Sequence, residues 1–458
     1  MSTAGEDRER AGILSAPYLS STVGTFALVF LSAFENLAVT TVMPGISAEL
    51  HGTRLYALAF AAPLAAAIVG MVVAGNWSDR RGPGPVLYAS AALFVVGLIV
   101  AGTAVDMWMI VLGRLIYGLA GGAVTVAIYV IVARLYPAAL QPKIFGAYAA
   151  AWVVPSLVGP YLAALVAQYV GWHWVFLGVV ILVVPAVTIM LPALRRIPVQ
   201  SEPHAVPWSV ARICWAVLVA LAVLGLDLSS ELAGWIQIAG ALIAFAVALV
   251  ALRTLLPAGT LRAARGLPGV ISTRGLIAGA YFGAEVYVPY LLINHYGLTA
   301  AGAGLALTGA GVVWAFASWA QGRRPDERFH GLFVRVGATT VAAAIAILLG
   351  ITIARLPAWS IMAAWGLASA GMGLSYPRLS VLTLQYSTPS EQGFNSSAMS
   401  IADSGGASLS LAITGIIFAG LGVLGTTTAI IGCFGLVFVF SLVAVGTSIR
   451  TTLARVPD

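Results

Sequence analysis

Residues 75–82 read Gly-Asn-Trp-Ser-Asp-Arg-Arg-Gly, a short charged stretch with a glycine at each end. Residues 55–74 before it and residues 85–105 after it contain no charged side chain. Each flanking segment has about 20 residues, which is the length that an apolar helix needs to cross a bilayer. A connection this short makes its flanking segments antiparallel neighbours. The stretch therefore predicts two membrane-spanning helices joined at one membrane surface.

The composition of the whole chain agrees with a membrane protein. Hydrophobic residues make up 60% of the 458 residues, charged residues 9%, and the mean hydropathy is +0.99. Soluble domains carry about 25% charged residues, so most of this chain must face lipid or itself. The net charge of +7 is attributed to arginines in cytoplasmic loops rather than to nucleic-acid binding. Cys214 and Cys433 both lie in apolar runs and support neither a disulfide framework nor a metal site.

Apolar runs and helix breakers predict an all-α integral membrane protein with about fourteen transmembrane helices. Helices are the expected form because unpaired backbone groups in lipid cost several kcal/mol each. The predicted spans are 17–44, 55–76, 85–105, 107–133, 143–169, 173–194, 211–228, 233–254, 272–294, 299–321, 332–354, 357–384, 394–420 and 424–448.

The distribution of basic residues predicts the orientation of the chain. With the N-terminus inside, the outer loops receive only Arg54 and Arg355. Arg114 lies within a span, Arg378 lies in the last turns before an inner loop, and almost every other basic residue, Arg274 among them, falls on the inner side. This asymmetry indicates a multi-pass protein of the cell membrane, plasma or inner, with both termini cytoplasmic.

The predicted spans divide as six, two and six. We expect an N-terminal six-helix bundle at 1–194, cytoplasmic linkers with an extra helix pair at 195–271, and a C-terminal six-helix bundle at 272–458. Residues 75–81 (GNWSDRR) can be laid over residues 317–324 (ASWAQGRR), each at the end of the second helix of its six. Repeated halves are common in secondary transporters, whose substrate site lies near the middle of the membrane.

Four stretches together resemble the major facilitator superfamily, and most closely its fourteen-helix drug:proton antiporter branch. Residues 75–82 are similar to the family's Gly-x-x-x-Asp-Arg-x-Gly loop, and residues 112–118 (LGRLIYG) to its helix-4 motif. Gly159-Pro160, followed by residues 171–176 (GWHWVF), resembles the antiporter motif and the start of helix 6. Phe34-Glu35 followed by Pro44 resembles the helix-1 pattern of the fourteen-helix branch, with Glu in place of Asp.

Glu35 and Arg114 are the first candidates for proton coupling. Ionisable groups inside a span are costly and are functional candidates by default. A carboxyl that moves between apolar surroundings and an arginine can bind a proton on one side and release it on the other. The resemblance implies that Arg114 assists this release. The alternative is a static ion pair between the two side chains.

Glu285 is a second candidate, for proton coupling or for substrate binding. Tyr281 and Tyr287 flank it along the chain, and an acid among aromatic rings could attract a cationic amphiphile. The alternative is an acid that is hydrogen-bonded to the tyrosine hydroxyls. Trp152 is a further candidate for substrate binding, although aromatic side chains also mark membrane interfaces.

Asp403 is the last proton-coupling candidate. It lies in residues 401–406 (IADSGG), where small side chains permit close helix approach. Asp403 either faces a cavity or makes an interhelical hydrogen bond.

The resemblance also implies gating residues. Asp79, Arg80 and Arg81 would form a latch at the inner surface, the alternative being ordinary turn chemistry that sets topology. Gly159 and Pro160 would mediate the helix packing on which conformational change depends.

Taken together, these features predict a proton-coupled secondary active exporter of hydrophobic or amphipathic small molecules such as drugs, working by alternating access. No phosphate-binding Walker motif and no metal-ligand spacing occur in the sequence, so we expect neither an enzyme nor a cofactor. We expect the proton gradient to be the energy source. The expected partners are substrate, protons and lipid, without nucleic acid, and the chain is expected to be a monomer. The alternatives are an exporter of lipids or natural products, a symporter, or a membrane sensor or scaffold that does not transport.

Overall fold

The computed structural model describes residues 12–52, 55–137, 140–194, 209–229, 234–298, 300–324, 327–388 and 391–452. Within these ranges every regular element is a helix. Arg54 and the linker at 195–208, both used in the sequence analysis, lie outside the described residues.

The chain divides into two compact units, Met1–Val210 and Ala211–Asp458, and each is described by itself. The first helices are α1 (Leu19–Glu49), α2 (Tyr56–Arg81), α3 (Pro83–Gly102), α4 (Met107–Leu135), α5 (Gln141–Tyr169) and α6 (His173–Leu194). They are followed by α7 (Val210–Leu228), α8 (Gly234–Leu255), α9 (Leu267–Glu285), α10 (Tyr287–Asn294), α11 (Ala300–Gly322), α12 (His330–Ala354), α13 (Ala358–Gln385), α14 (Gln392–Gly422) and α15 (Thr426–Ser448).

Within the described residues, 10 helices are long and apolar enough to cross a membrane, or up to 11 when a bent pair in α5 is taken as one span. Each predicted span contains a helix, which confirms the all-helical class. The predicted number of fourteen spans is not established by length and hydropathy, because helices such as α7 carry shorter apolar segments.

The connection between α2 and α3 is tighter than the sequence analysis predicts. The stretch expected to be a loop is helical up to Arg81, and only Gly82 separates the two helices. Gly82 has a φ of 77°, which a residue without a Cβ adopts most easily. Pro83 then begins α3, where its fixed φ and missing N–H suit the first turn. Asp79, Arg80 and Arg81 therefore belong to the last turn of α2.

Glycines bring α4 into backbone contact with α2 in the first unit. A Cβ added to Gly118 would lie 2.1 Å from the carbonyl oxygen of Pro63, and one added to Gly122 would lie 2.1 Å from that of Ala67. Close approach of this kind is the usual way in which membrane helices gain van der Waals contact. It fixes the position of Arg114, one turn before Gly118, relative to α2.

Glycines play the same part between α9 and α14 in the second unit. A Cβ on Gly406 would lie 2.0 Å from the carbonyl oxygen of Gly275, and a Cβ on Gly275 would lie 2.7 Å from that of Ala402. The two helices therefore touch through their backbones, one residue away from Arg274 and Asp403.

The span predicted at 272–294 is interrupted. The helix α9 ends at Glu285 and α10 begins at Tyr287. Pro289 explains the break, because a proline has no N–H to donate to the carbonyl four residues earlier, here that of Glu285, and its ring crowds that carbonyl. Glu285 thus lies at a discontinuity inside a candidate span that runs from Leu267 to Leu292.

Candidate functional site

Glu35 and Arg114 form a sealed ion pair in the first unit. Nη1 of Arg114 lies 2.7 Å from Oε1 of Glu35, and the side chains are 4% and 0% exposed. Nε of Arg114 also donates to the carbonyl oxygen of Ala59, at 3.3 Å. The pair joins the middle of α1 to α4 and α2, and it is the ion pair that the sequence analysis named as the alternative to a proton-coupling role.

The Glu35 carboxylate keeps one oxygen unused. Its Oε2 atom is buried and has no hydrogen-bond partner. Nearby, the guanidinium of Arg114 lies 5.2 Å from the ring centroid of Tyr117, whose hydroxyl accepts a hydrogen bond from Asn36 at 3.1 Å. A buried carboxylate oxygen without a donor is costly, and it is an atom to which a proton can add. The ion pair therefore satisfies only one of the two carboxylate oxygens of Glu35.

The second unit contains another ion pair, between Arg274 on α9 and Asp403 on α14. Nε of Arg274 lies 2.9 Å from Oδ1 of Asp403, and Nη2 lies 3.4 Å from Oδ2. The two side chains are 12% and 26% exposed, so this pair is accessible where the Glu35–Arg114 pair is not. Tyr376 on α13 donates its hydroxyl to Oδ1 of Asp403, at 2.7 Å.

Sequence analysis missed this role of Arg274. It counted Arg274 with the basic residues of an inner loop, whereas α9 begins earlier than expected, at Leu267. Gly266, with a φ of 84°, and Pro268 in the first turn were the signals for that earlier start. Of the two alternatives for Asp403, the interhelical contact is present in the structure, and its partner is an arginine.

Glu285 is half-buried at the end of α9, and the described residues contain no ion pair to it. Tyr281, one turn earlier, is buried: its ring stacks on Trp365 with centroids 4.4 Å apart, and its hydroxyl lies 2.7 Å from Oγ of Ser369. Tyr281 therefore supports the helix that carries Glu285 and does not itself present a free ring face in this conformation.

The other predicted substrate residues differ in exposure. Tyr287 is buried and packs on Phe418 with ring centroids 5.4 Å apart. Trp152 on α5 is 45% exposed. Trp152 and Glu285 belong to different units, so neither unit alone contains both of these predicted substrate residues.

Of the predicted gating residues, Arg80 and Arg81 line a cavity of about 280 Å³ together with Val73 and Trp77. Arg134, from α4, donates to the carbonyl oxygen of Ser78 at 3.4 Å. Asp79 lies in the last turn of α2, and its side chain is outside the described residues. An arginine from α4 thus contacts the last turn of α2, next to the residues of the predicted latch, and sequence analysis did not identify this contact.

A corresponding contact occurs at the end of α11. The guanidinium of Arg378, from α13, donates to the carbonyl oxygens of Gln321 and Arg324, the latter at 2.6 Å, and lies 3.2 Å from Nδ1 of His330. In each unit, an arginine from the fourth helix of the predicted six-helix bundle thus binds backbone carbonyl oxygen at the C-terminal end of that bundle's second helix. Cations are favourable at that end of a helix. This supports the repeat inferred from residues 75–81 and 317–324.

The predicted packing motif lies at a bend. The α5 segments Lys143–Ser156 and Tyr161–Tyr169 meet at 47°, with Gly159 and Pro160 in the break. Pro160 removes a backbone donor there, which is a usual cause of a kink. A Cβ on Gly159 would lie 3.6 Å from the ring of Phe34, so the bend packs beside the segment of α1 that carries Glu35.

In the part of the chain that the structure describes, no group of three His, Cys, Asp or Glu side chains could hold a metal ion. The two units instead each contain an ion pair between helices, buried in the first and part-exposed in the second. This is the kind of site that membrane transporters use for protons and charged substrates.

The sequence profile of the family described as "Major Facilitator Superfamily" matches residues 25–411. The chain belongs to this superfamily. This match confirms the predicted family, whose members are transporters and not enzymes.

Curated relatives in the superfamily carry efflux names. The chain is 29% identical over 234 residues to "Multidrug resistance protein 3" of Bacillus subtilis, covering 50% of this chain and 45% of that protein. It is 29% identical over 156 residues to "Efflux pump dotC" of Dothistroma septosporum, covering 34% of this chain and 27% of that protein. The matched segments thus span less than half the length of these relatives.

Solved structures show the same fold. The human organic anion transporter MFSD10 (TETRAN) superposes with a TM-score of 0.67 at 15% identity, covering 94% of this chain and 99% of that chain. The xylose transporter XylE from E. coli, in a partially occluded inward-open conformation, superposes with a TM-score of 0.59 at 16% identity, covering 93% and 97%. At these identities the likeness concerns the fold of the superfamily alone.

Proposed function

We propose that this major facilitator superfamily member is a proton-coupled antiporter that exports hydrophobic or amphipathic small molecules, such as drugs, by alternating access. It would cross the cell membrane fourteen times as a monomer with both termini cytoplasmic. The proton gradient would supply the energy, without a cofactor. The efflux names of relatives at about 30% identity favour an export function.

The sealed Glu35–Arg114 pair is the observation that carries this proposal. A proton arriving at the unused Oε2 atom neutralises Glu35 and removes the partner charge of Arg114. Arg114 then keeps only the Ala59 carbonyl and the ring of Tyr117, and it must move toward another anion or toward water, since a buried lone guanidinium is very costly. Because the pair ties α1 to α4 and α2, proton binding changes the contact between these helices.

Glu285 is proposed as the second acid, used either for a second proton or as the anchor for a substrate cation. Its carboxylate lies where Pro289 interrupts the helix, and it has no arginine or lysine partner among the described residues. A cationic amphiphile could supply the missing charge. Tyr281 and Tyr287 hold the surrounding helices through their ring contacts, and Tyr290, which is 40% exposed, packs edge-on against Phe418 with ring centroids 5.3 Å apart.

The proposed gating elements are the end of α2 and the bend of α5. Asp79, Arg80 and Arg81 would hold one conformation of the cycle, and Arg134 would fix the helix end that carries them. The bend at Gly159 and Pro160 lies against Phe34, so movement of α5 would reach the neighbour of Glu35.

Transport by purified protein in proteoliposomes tests the proposal. We expect that an imposed pH gradient drives ethidium transport by the unaltered chain, and that Glu35→Gln lowers the gradient-driven rate by about tenfold or more. Glu49→Gln is the matched control, since Glu49 is an exposed acid at the end of the same helix. Unchanged gradient-driven transport by Glu35→Gln would remove Glu35 from the mechanism and, with it, the basis of the proposal.

A further inference from the structure

The Arg274 guanidinium is held in place by α13 independently of Asp403. Nη1 donates to the carbonyl oxygen of Tyr376 at 3.1 Å and lies 3.5 Å from Oγ of Ser380. Its Cζ atom lies 3.4 Å from the ring centroid of Tyr376, which is a close cation–π contact. Removing the carboxylate of Asp403 therefore leaves Arg274 with three contacts that keep its orientation.

The helices that carry the pair cannot separate easily. The backbone contacts of Gly275 with Ala402 and Gly406 lie immediately beside Arg274 and Asp403. An ion pair between helices in direct backbone contact is a poor latch, since opening it would require the loss of those contacts as well. The structure around the pair therefore allows the charge of the anion on Arg274 to change, or another anion to replace it, more easily than it allows α9 and α14 to move apart.

Three donors converge on the position of one carboxylate. Nε and Nη2 of Arg274 and the hydroxyl of Tyr376 all point at the oxygens of Asp403. This is the fork-shaped donor set that binds a carboxylate, sulfonate or phosphate group. The pair is part-exposed, with Asp403 26% and Arg274 12% accessible, so a ligand can approach it.

We propose that Arg274 and Tyr376 form a binding site for the anionic group of a substrate, and that Asp403 occupies this site as a resident anion. Two carboxylates on one guanidinium repel each other, so an external anion binds when Asp403 is neutral or turned away. Arg274 from α9 and Tyr376 from α13 are the charged or titratable groups that hydrogen-bond to Asp403 in the described parts of the neighbouring helices, and α8, whose Arg253 follows Leu252, packs on the same segment at Gly405. A proton on Asp403 thus opens the site to an amphipathic substrate that carries an acid group.

This inference rests on the proposed function only in taking the bound anion for a transported substrate, and its test needs no gradient. The chain in lipid nanodiscs is titrated with benzoate, benzylamine and benzyl alcohol, which share a ring and differ in charge. We expect that Asp403→Asn, which is close to isosteric, binds benzoate about tenfold more tightly than the unaltered chain. Asp403→Asn should bind benzylamine and benzyl alcohol no more tightly than the unaltered chain does.

Second variants separate binding from folding. Adding Arg274→Gln to Asp403→Asn should abolish the gain in benzoate affinity, and Tyr376→Phe should reduce it several-fold while keeping the ring contact with Arg274. Benzoate should also raise the melting temperature of Asp403→Asn, which shows a folded site even where transport is lost. The proposal is overturned if benzylamine is preferred and Asp403→Asn loses it, or if the three probes bind alike to every variant. Neither result would bear on Glu35.

Discussion

The two interhelical ion pairs of this protein differ in what holds the arginine. In the first unit Arg114 makes one contact with Glu35, both side chains are sealed, and one carboxylate oxygen has no partner. In the second unit Arg274 grips Asp403 with two nitrogens, the pair is part-exposed, and α13 holds the guanidinium without help from the acid. The two pairs are proposed to have different roles: a proton would rearrange the first, and an external anion would replace Asp403 in the second.

The largest expected effect comes from removing the arginine of the sealed pair. Arg114→Gln leaves the Glu35 carboxylate in a site without exposure, where breaking a buried pair costs about 3–5 kcal/mol. We expect that loss in the free energy of unfolding, measured by SDS titration of the purified chain. The double variant Arg114→Gln with Glu35→Gln should recover a large part of it, because neither charge then remains. A double variant as unstable as the single one would show that packing, and not charge, dominates the site.

The next effect tests the rigidity of the second pair. Gly406→Ala places a Cβ about 2.0 Å from the carbonyl oxygen of Gly275, so α9 and α14 must move apart. Overpacking of this kind costs about 1–3 kcal/mol. We expect a lower melting temperature in detergent together with weaker benzoate binding by Gly406→Ala in the Asp403→Asn background. Gly415→Ala is the matched control on the same helix, since a Cβ there meets nothing within 4 Å. Equal behaviour of the two alanine variants would mean that the close contact does not position Asp403.

The two pairs also differ in how far the sequence predicts them. Glu35 and Arg114 stand in apolar spans, where the cost of burial marks both as functional candidates, and their ion pair is one of the two alternatives that the sequence leaves open. Arg274 stands in a basic stretch whose other members serve topology, and only the helix start at Gly266 and Leu267 distinguishes it. Arg378 is similar, because its role at the end of α11 depends on a contact between helices 13 and 11 that no local pattern contains.

The helices, like the ion pairs, are only partly predictable from the sequence. Long apolar runs predict that helices exist, because lipid leaves the backbone no other partner. The ends of the helices depend on single residues. Gly82 alone separates α2 from α3 where the sequence predicts a longer loop, and Pro289 interrupts a predicted helix after Glu285. The second break is the more important of the two, since it places a carboxylate at a discontinuity within a span.

A smaller effect is expected from the arginine of the exposed pair. Arg274→Gln leaves Asp403 with the Tyr376 hydroxyl and with access to solvent, so its charge is not sealed in as that of Glu35 would be. We expect a loss of about 1–2 kcal/mol in the free energy of unfolding, smaller than that for Arg114→Gln. The comparison is made in parallel SDS titrations of both variants. Equal losses would contradict the distinction between a sealed and an accessible pair.

The smallest expected effect on stability comes from the hydroxyl groups of Tyr376 and Tyr117, the two tyrosines whose rings contact the arginines of the ion pairs. Tyr376→Phe removes a hydroxyl that donates to a carboxylate at 2.7 Å, whereas Tyr117→Phe removes one that accepts from the Asn36 amide at 3.1 Å, lies 3.5 Å from the Ser32 carbonyl and is near the Glu35 carboxylate. A hydrogen bond to a charged group contributes about 1.5–3 kcal/mol and one between neutral groups about 1 kcal/mol. Since both rings and their arginine contacts remain, Tyr376→Phe should lower the unfolding free energy by the larger amount, close to the lower end of its range because Asp403 is part-exposed. If Tyr117→Phe proves the more damaging, its hydroxyl must stabilise Glu35 directly, and the sealed pair would then depend on more than Arg114.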